Sequence, residues 1–438
     1  MTVTGVARGT GGQRAGSRRR AARTGAVALI AGAVAAGALT APARAGDRTT
    51  AADGRKARHA ATQQAIEAFV ATGTPGATVT ATDGNGVWRS AAGIGDLKTG
   101  KKRGANDLFR VASITKTFVA TVLLQLEEEG KLSLDDTVEK WLPGLVRGNG
   151  NDGRKITVRQ LLNHTSGIFN YTSDPDYAKK YLHEGYLENR YENVPPEYHV
   201  KVALAHRPDF APGTGFTYSN TGYVLAGMII EKVSGRTYEH EVHKRIIKPL
   251  KLRSTSNPGD TVELPQPSSR AYSKLTQTPE DPAAKIHDVT EIHGSQGWAD
   301  GDITSSAADL NRFYSALLRG KLLSPKQLTA MKTTTTASNG WYGLGLYKTA
   351  LSCTTVWGHG GGAAGSLSEA ATSEDGRHQL AFNINGDWAA NYDQFIAVLE
   401  AEYCGKKPGT AKTAKTAKTV KTAPDGPVSA RTTIANRG

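Results

Sequence analysis

Strand-like segments lie at the two ends of this sequence, with long helical patterns between them. Near the start, ATVTATD and VWRSAAG flank Gly84-Asn85-Gly86 and read as a hairpin. Near the end, YGLGLYK, TTVWGHG, LSEAATS and HQLAFNIN are short apolar pieces separated by glycine and polar turns. Helical periodicity marks 60–72, 113–129 with Gly130 as its stop, 157–164, 221–235 with Gly235 as its stop, and 391–403. A further helix spans 305–320, with Ser305 or Ser306 as cap and Gly320 as stop. Residues 170–215, rich in Tyr, Pro and charge, read as irregular and partly helical. Isolated strands must pair to satisfy their backbone groups. The two sets therefore predict one antiparallel sheet built from the N- and C-terminal parts and flanked by helices. A mainly helical region, roughly 132–300, is inserted between them. The fold class is α/β in the α+β sense, and no internal repeat occurs outside the Lys-Thr tail.

The net charge of +14 invites a nucleic-acid reading. Its distribution removes that support. Residues 1–45 carry seven Arg and no acid; residues 405–438 carry six Lys and two Arg against Asp425; residues 46–404 balance to zero. The first 45 residues have the layout of a secretory signal peptide. Arg18, Arg19, Arg20 and Arg23 precede a small-residue apolar run at 25–39, and APARA ends at Ala45. A membrane anchor is the rival, but the run is shorter than the ~20 apolar residues a spanning helix needs. The expectation is therefore a secreted chain with no membrane span after cleavage, by either the general or the twin-arginine route. Its folded domain covers 46–404. The basic tail 405–438 is too poor in large apolar residues to offset the entropy of ordering, and reads as a disordered solvated segment, a removable pro-segment or a wall-attracted basic tether. Export also lets the only two cysteines, Cys353 and Cys404, form a disulfide, which in the chain-entropy model adds ~4 kcal/mol. A two-cysteine metal site is weaker, because no histidine pair stands at ligand spacing beside them.

Three pieces carry chemistry. Ser113 precedes Lys116 by three residues in FRVASITKTF, the one Ser-x-x-Lys of the chain, with apolar flanks able to bury the pair. Residues three apart on a helix share a face, so the amine reaches the hydroxyl. A serine hydroxyl becomes a nucleophile when a neighbour takes its proton, and a buried lysine can be that base. The second piece is Tyr218-Ser219-Asn220, between a Pro-Gly turn and a helix. A phenol there can relay a proton and an amide can hold a substrate, while the plainer reading is capping by Asn220 or Thr221. The third is VWGHGGGAAG, where His359 leads Gly360, Gly361 and Gly362. Glycines let a strand approach a substrate closely and offer an N–H to an oxyanion. A simple glycine turn is the alternative; a dinucleotide loop lacks its βαβ context. Neither Gly-x-Ser-x-Gly nor His-Glu-x-x-His occurs, and His164 and His206 read as turn or capping histidines.

Taken together and in this order, the three pieces resemble the penicillin-recognising serine hydrolases, in the branch that holds class C β-lactamases, exported D-alanyl-D-alanine carboxypeptidases and D-aminopeptidases. The resemblance runs from about residue 60 to Cys404 and includes ITVRQLLNHTSG and TYSNTGYVLAGMIIEKVSG. It implies the β-lactamase-like fold with neither cofactor nor metal, and a monomer. It also implies an acyl-enzyme at Ser113, proton exchange by Lys116 and Tyr218, and a substrate amide held by Asn220. His359, Gly360 and Gly362 would line the substrate strand, with the N–H groups of Ser113 and Gly362 as the oxyanion hole and Tyr177 as an aromatic wall. The substrate would be a peptide, amide or ester with a D-amino acid, peptidoglycan included, and β-lactams would inhibit. Two departures bear on specificity. The carboxypeptidase pattern His-Thr-Gly-Thr has glycine here at both threonine positions, 360 and 362. The family arginine that binds a terminal carboxylate aligns with Tyr347, beside Lys348. Each lost charge-assisted bond is worth ~1.5–3 kcal/mol. D-alanyl-D-alanine carboxypeptidase is the leading expectation. A D-stereospecific aminopeptidase, amidohydrolase or esterase is the alternative, followed by a β-lactamase or a non-catalytic penicillin-binding sensor. Lys98-Thr99-Gly100 lies out of order and reads as a turn.

Overall fold

The computed structural model describes residues 58–276, 278 and 281–407. The signal-peptide reading of 1–45, and the tail reading beyond residue 407, lie outside the described residues. Helix α1 (Ala60–Ala71) leads into strands β1 (Gly76–Asp83), β2 (Gly86–Asp96) and the short β3 (Lys101–Lys102). Helix α2 (Thr115–Glu128) opens the helical region, which includes α3 (Asn220–Ser234) and α4 (Ala307–Leu318). Strands β4 (Tyr347–Ala350), β5 (Thr355–Ala363), β6 (Ser366–Ser373) and β7 (Gln379–Ile384) follow, and α5 (Tyr392–Cys404) is the last element among the described residues.

The sheet has the order β4-β5-β6-β7-β1-β2-β3, every pairing antiparallel. The two ends of the sequence meet at β1 and β7, in register from Ala77 opposite Ile384 to Thr82 opposite Gln379. The side-chain period of two explains the layers. Val79, Leu380 and Phe382 pack on one face against Ile66 and Phe69 of α1 and Phe395 of α5. Residues between them face the helical region, and there Asn311 Nδ2 of α4 donates to Thr80 O at 2.9 Å. On β5, Val356 belongs to the first layer and Trp357 to the second. His359 and Gly361, in phase with Trp357, therefore face the helices.

Local chemistry sets the element ends. Gly130 and Gly235 adopt left-handed φ of 69° and 67° where α2 and α3 stop. Ser306 caps α4 by accepting from Asp309 N. Asn220 and Thr221 do not cap α3: the cap position is Ser219, without a side-chain capping bond, and Asn220 is the first helical residue. The helix at 113–129 begins later than its apolar pattern suggests, because Ala112–Ile114 forms a separate 3-10 turn. YGLGLYK pairs as a strand only from Tyr347, since Gly345 turns at φ 62° against α2, where a Cβ would lie 2.7 Å from Lys116 O. The 170–215 region holds a 3-10 turn, Tyr171–Ser173, and three short α-helices, Pro175–Tyr181, Tyr186–Asn189 and Pro196–Leu204. Cys353 and Cys404 form a disulfide that ties the β4–β5 loop to the end of α5. Nearby, Glu402 of α5, its side chain 1% exposed, accepts from Thr62 Oγ1 of α1 at 2.7 Å and lies 2.9 Å from His59 Nδ1.

Candidate active site

Phe109 and Arg110 pair with Ser305 and Thr304, and Val111 N donates to Ile303 O at 2.9 Å. The extended chain must then turn sharply into α2. Ala112 makes that turn at φ 49°, a left-handed conformation costly for a residue with a Cβ. The result places Ser113 at the rim of a cavity just ahead of α2. Three residues on, Lys116 is wholly buried, and its Nζ donates to Ser113 Oγ at 2.9 Å and to Asp300 O at 2.7 Å. Burial pulls the Lys116 amine down to about 8, with the Asp300 charge opposing the fall. Near neutral pH a usable fraction of the amine is therefore unprotonated and able to accept the serine proton.

Tyr218 comes from the loop before α3. His164, at φ 60°, grips that loop twice: its carbonyl accepts from Thr217 N and its Nδ1 from Ser219 N, each at 3.2 Å. The imidazole packs 4.2 Å from the Tyr218 ring, centroid to centroid. Lys116 Nζ lies 5.1 Å from the centre of the Tyr218 ring. The phenol oxygen is buried without a hydrogen bond. Burial drives its pKa well above the ordinary tyrosine value; the Ser113 hydroxyl opposes the rise and Asp300 adds to it. Amine and phenol are thus pushed in opposite senses, the amine toward a base and the phenol toward a proton carrier.

Strand β5 forms the opposite wall. A Cβ on Gly361 would lie 2.0 Å from Val111 O and 3.0 Å from Ser113 N, so only glycine lets the strand run this close to the serine turn. Gly362 lines the cavity, while His359 does not. The His359 ring is buried, with Nδ1 2.6 Å from Gly360 O and Nε2 2.8 Å from the Tyr342 hydroxyl. A carbonyl only accepts, so Nδ1 carries the hydrogen and Nε2 accepts from Tyr342. Burial draws the imidazole down to about 3, and it stays neutral. His359 thus stiffens the helix-facing side of the strand, its ring 6.4 Å from that of Tyr218, together with the Gly360 carbonyl it holds.

The cavity has a volume of about 280 Å³. Asn220 lines it, its Nδ2 donating to Thr172 Oγ1 at 3.2 Å and its backbone N to Asn170 Oδ1 at 3.0 Å. Tyr177, Tyr181 and Tyr186 form an aromatic side. Neither Tyr347 nor Lys348 reaches the cavity. The Tyr347 hydroxyl donates to buried Glu369 at 2.6 Å, and Lys348 is exposed. Tyr347, where the resemblance implies an arginine for a terminal carboxylate, is a buried phenol turned to Glu369. Among the described residues no group of three or more His, Cys, Asp or Glu could hold a metal ion, and no helix is long and apolar enough to cross a membrane.

A family model described as Beta-lactamase matches residues 62–387, most of the chain and all of this site. The chain belongs to the beta-lactamase family. Within that family it is similar to a D-stereospecific amidohydrolase from Streptomyces sp., whose crystal structure is 54% identical with a TM-score of 0.74, covering 80% of this chain and 99% of that one. The D-amino acid amidase from Ochrobactrum anthropi SV3, solved with D-phenylalanine, is 26% identical with a TM-score of 0.67, covering 80% and 100%. Penicillin-binding protein 4 of Amycolatopsis lactamdurans is 27% identical over 291 residues, 65% of this chain and 70% of that protein.

The site thus sets Ser113, Tyr177, Asn220 and Gly362 on the cavity wall, with Lys116 against Ser113 and beside the Tyr218 ring, while His359 does not line the cavity. Sequence reasoning missed three supports. Asp300 holds Lys116 through its carbonyl from 184 residues away. Tyr342 fixes His359, and His164, taken for an ordinary turn histidine, positions the Tyr218 loop. The Asn-His-Thr-Ser-Gly run around His164 was visible as family-like. Asp300 gave no local signal.

Proposed function

We propose that this protein is a D-stereospecific serine amidohydrolase that cleaves D-aminoacyl amides and esters. In this reading neutral Lys116 takes the Ser113 proton as Oγ bonds to the substrate carbonyl carbon. The N–H groups of Ser113 and Gly362 stabilise the oxyanion. The proton passes by way of Tyr218 to the leaving amine, the C–N bond breaks, and an ester remains on Ser113. Water then attacks that ester, giving its proton back through the same pair, and Ser113 leaves with a hydrogen restored. Asn220 orients the substrate amide, and Tyr177 borders an apolar side chain.

The observation that carries this reading over carboxypeptidase action is the recognition strand. Glycine occupies 360 and 362, and Tyr347 is turned to Glu369, so no hydroxyl or cation from these positions meets a terminal carboxylate. The 54% identity to a D-stereospecific amidohydrolase supports the same order of preference. The disulfide suits an exported protein. The test is a panel on purified protein: D-phenylalaninamide and D-phenylalanine methyl ester against a peptide ending in D-Ala-D-Ala. Hydrolysis of the first two, abolished by Ser113→Ala, is the expected result. Faster turnover of the D-Ala-D-Ala peptide would restore the carboxypeptidase reading.

A further inference from the structure

Three carboxylates that line the cavity, Asp300, Asp302 and Asp387, have no task in the acyl transfer described above. Asp302 accepts from Asn257 Nδ2 at 3.0 Å and Asp387 from Gly365 N at 2.8 Å, and Asp300 stands beside Lys116. The short helix Trp298–Gly301 passes beside Lys116, and Asp300 on it offers two acceptors. Its carbonyl holds the lysine amine. Its carboxylate lines the same cavity as Ser113 and accepts the Tyr171 hydroxyl at 2.7 Å on Oδ2. Among the described residues the other oxygen takes no hydrogen bond, and the carboxylate forms no salt bridge. Asp300 as a whole is 5% exposed. Cationic residues of the cavity wall are engaged elsewhere: Arg110 Nη2 donates to Val262 O and Ile292 O, and Lys274 Nζ to Asp281 O. A desolvated carboxylate whose nearest cation, Lys116, acts on it only from beyond salt-bridge distance is costly unless a ligand completes it.

Position gives the ligand. Lys116 Nζ bridges Ser113 Oγ and Asp300 O, so the helix bearing the carboxylate lies two hydrogen bonds from the attacking oxygen. In an acyl group on Ser113, the α-substituents stand one carbon beyond the carbonyl. We propose that Asp300 receives the α-ammonium of the D-aminoacyl unit, which makes a free amine a requirement of the acyl donor. This rests on the amidohydrolase reading. It also gives a physical source for handedness. With the carbonyl at the oxyanion donors, the side chain against Tyr177 and Tyr181, and the ammonium on Asp300, the other enantiomer must exchange its ammonium and its apolar group.

The test compares D-phenylalanine methyl ester, its N-acetyl derivative, and methyl 3-phenylpropanoate, which keeps the skeleton without the amine. Wild-type protein should prefer the free amine over both. In Asp300→Asn the kcat/KM ratio of the D-phenylalanine ester to the phenylpropanoate should fall at least about tenfold, chiefly through KM. An unchanged ratio with both esters slowed alike means that the carboxylate acts only on Lys116, and overturns the proposal. If Asp300→Asn does not fold, wild-type selectivity decides: equal turnover of the free and N-acetylated esters overturns it. Wild-type protein inert to all three sinks the amidohydrolase reading itself, and with it this one.

Discussion

At the scale of single residues, the site works by separating the proton affinities of two neighbours. Lys116 accepts a proton only when neutral, and burial sets its pKa at about 8. Protonation disables it, so kcat/KM for an amide should fall about tenfold per pH unit below about 8. The Asp300 charge raises the lysine value, so Asp300→Asn should move this acidic limb to lower pH; initial rates across a buffer series read both effects. A limb that stays fixed in that variant would show that the carboxylate charge does not reach the amine. The Ser113–Lys116 pair was legible because its geometry is local: three residues, one turn. The Tyr218 contact depends on the family resemblance. Asp300 was hidden because only the folded chain brings it to Lys116, and its neighbours in sequence carry no motif.

Among the elements, β5 runs close against the serine turn. Gly361→Ala would thrust a Cβ against the Val111 carbonyl, a backbone group unable to step aside. The expected outcome is a loss of ~1–3 kcal/mol in stability, the range for overpacking, together with a fall in kcat larger than the change in KM. Thermal melts and steady-state kinetics on the same sample check it; a fully active, equally stable variant would refute the wall's role. The hairpin, the main helices and most of the C-terminal strands were readable from periodicity, since each buries one regular face. The Ala112–Ile114 turn and the Tyr342–Leu346 segment were not. Their apolar residues match helix and strand, but neighbours from distant sequence bend them away.

For the molecule as a whole, the ordering of strands predicted the sheet, because strands at both ends had only each other to pair with. The Cys353–Cys404 bond staples the outer edge of that sheet to the last helix. Replacing both cysteines by serine should lower unfolding free energy by ~2–5 kcal/mol while leaving KM near its wild-type value, as denaturant titration and kinetics would report. An equally stable variant would mean that α5 and the sheet need no staple.

The meeting of β1 with β7 has a consequence in time. The nucleophile, amine and phenol all belong to the first half of the polypeptide, yet the wall they face is made last. A growing or truncated chain lacking its final strands would hold every reactive side chain and still be chemically silent.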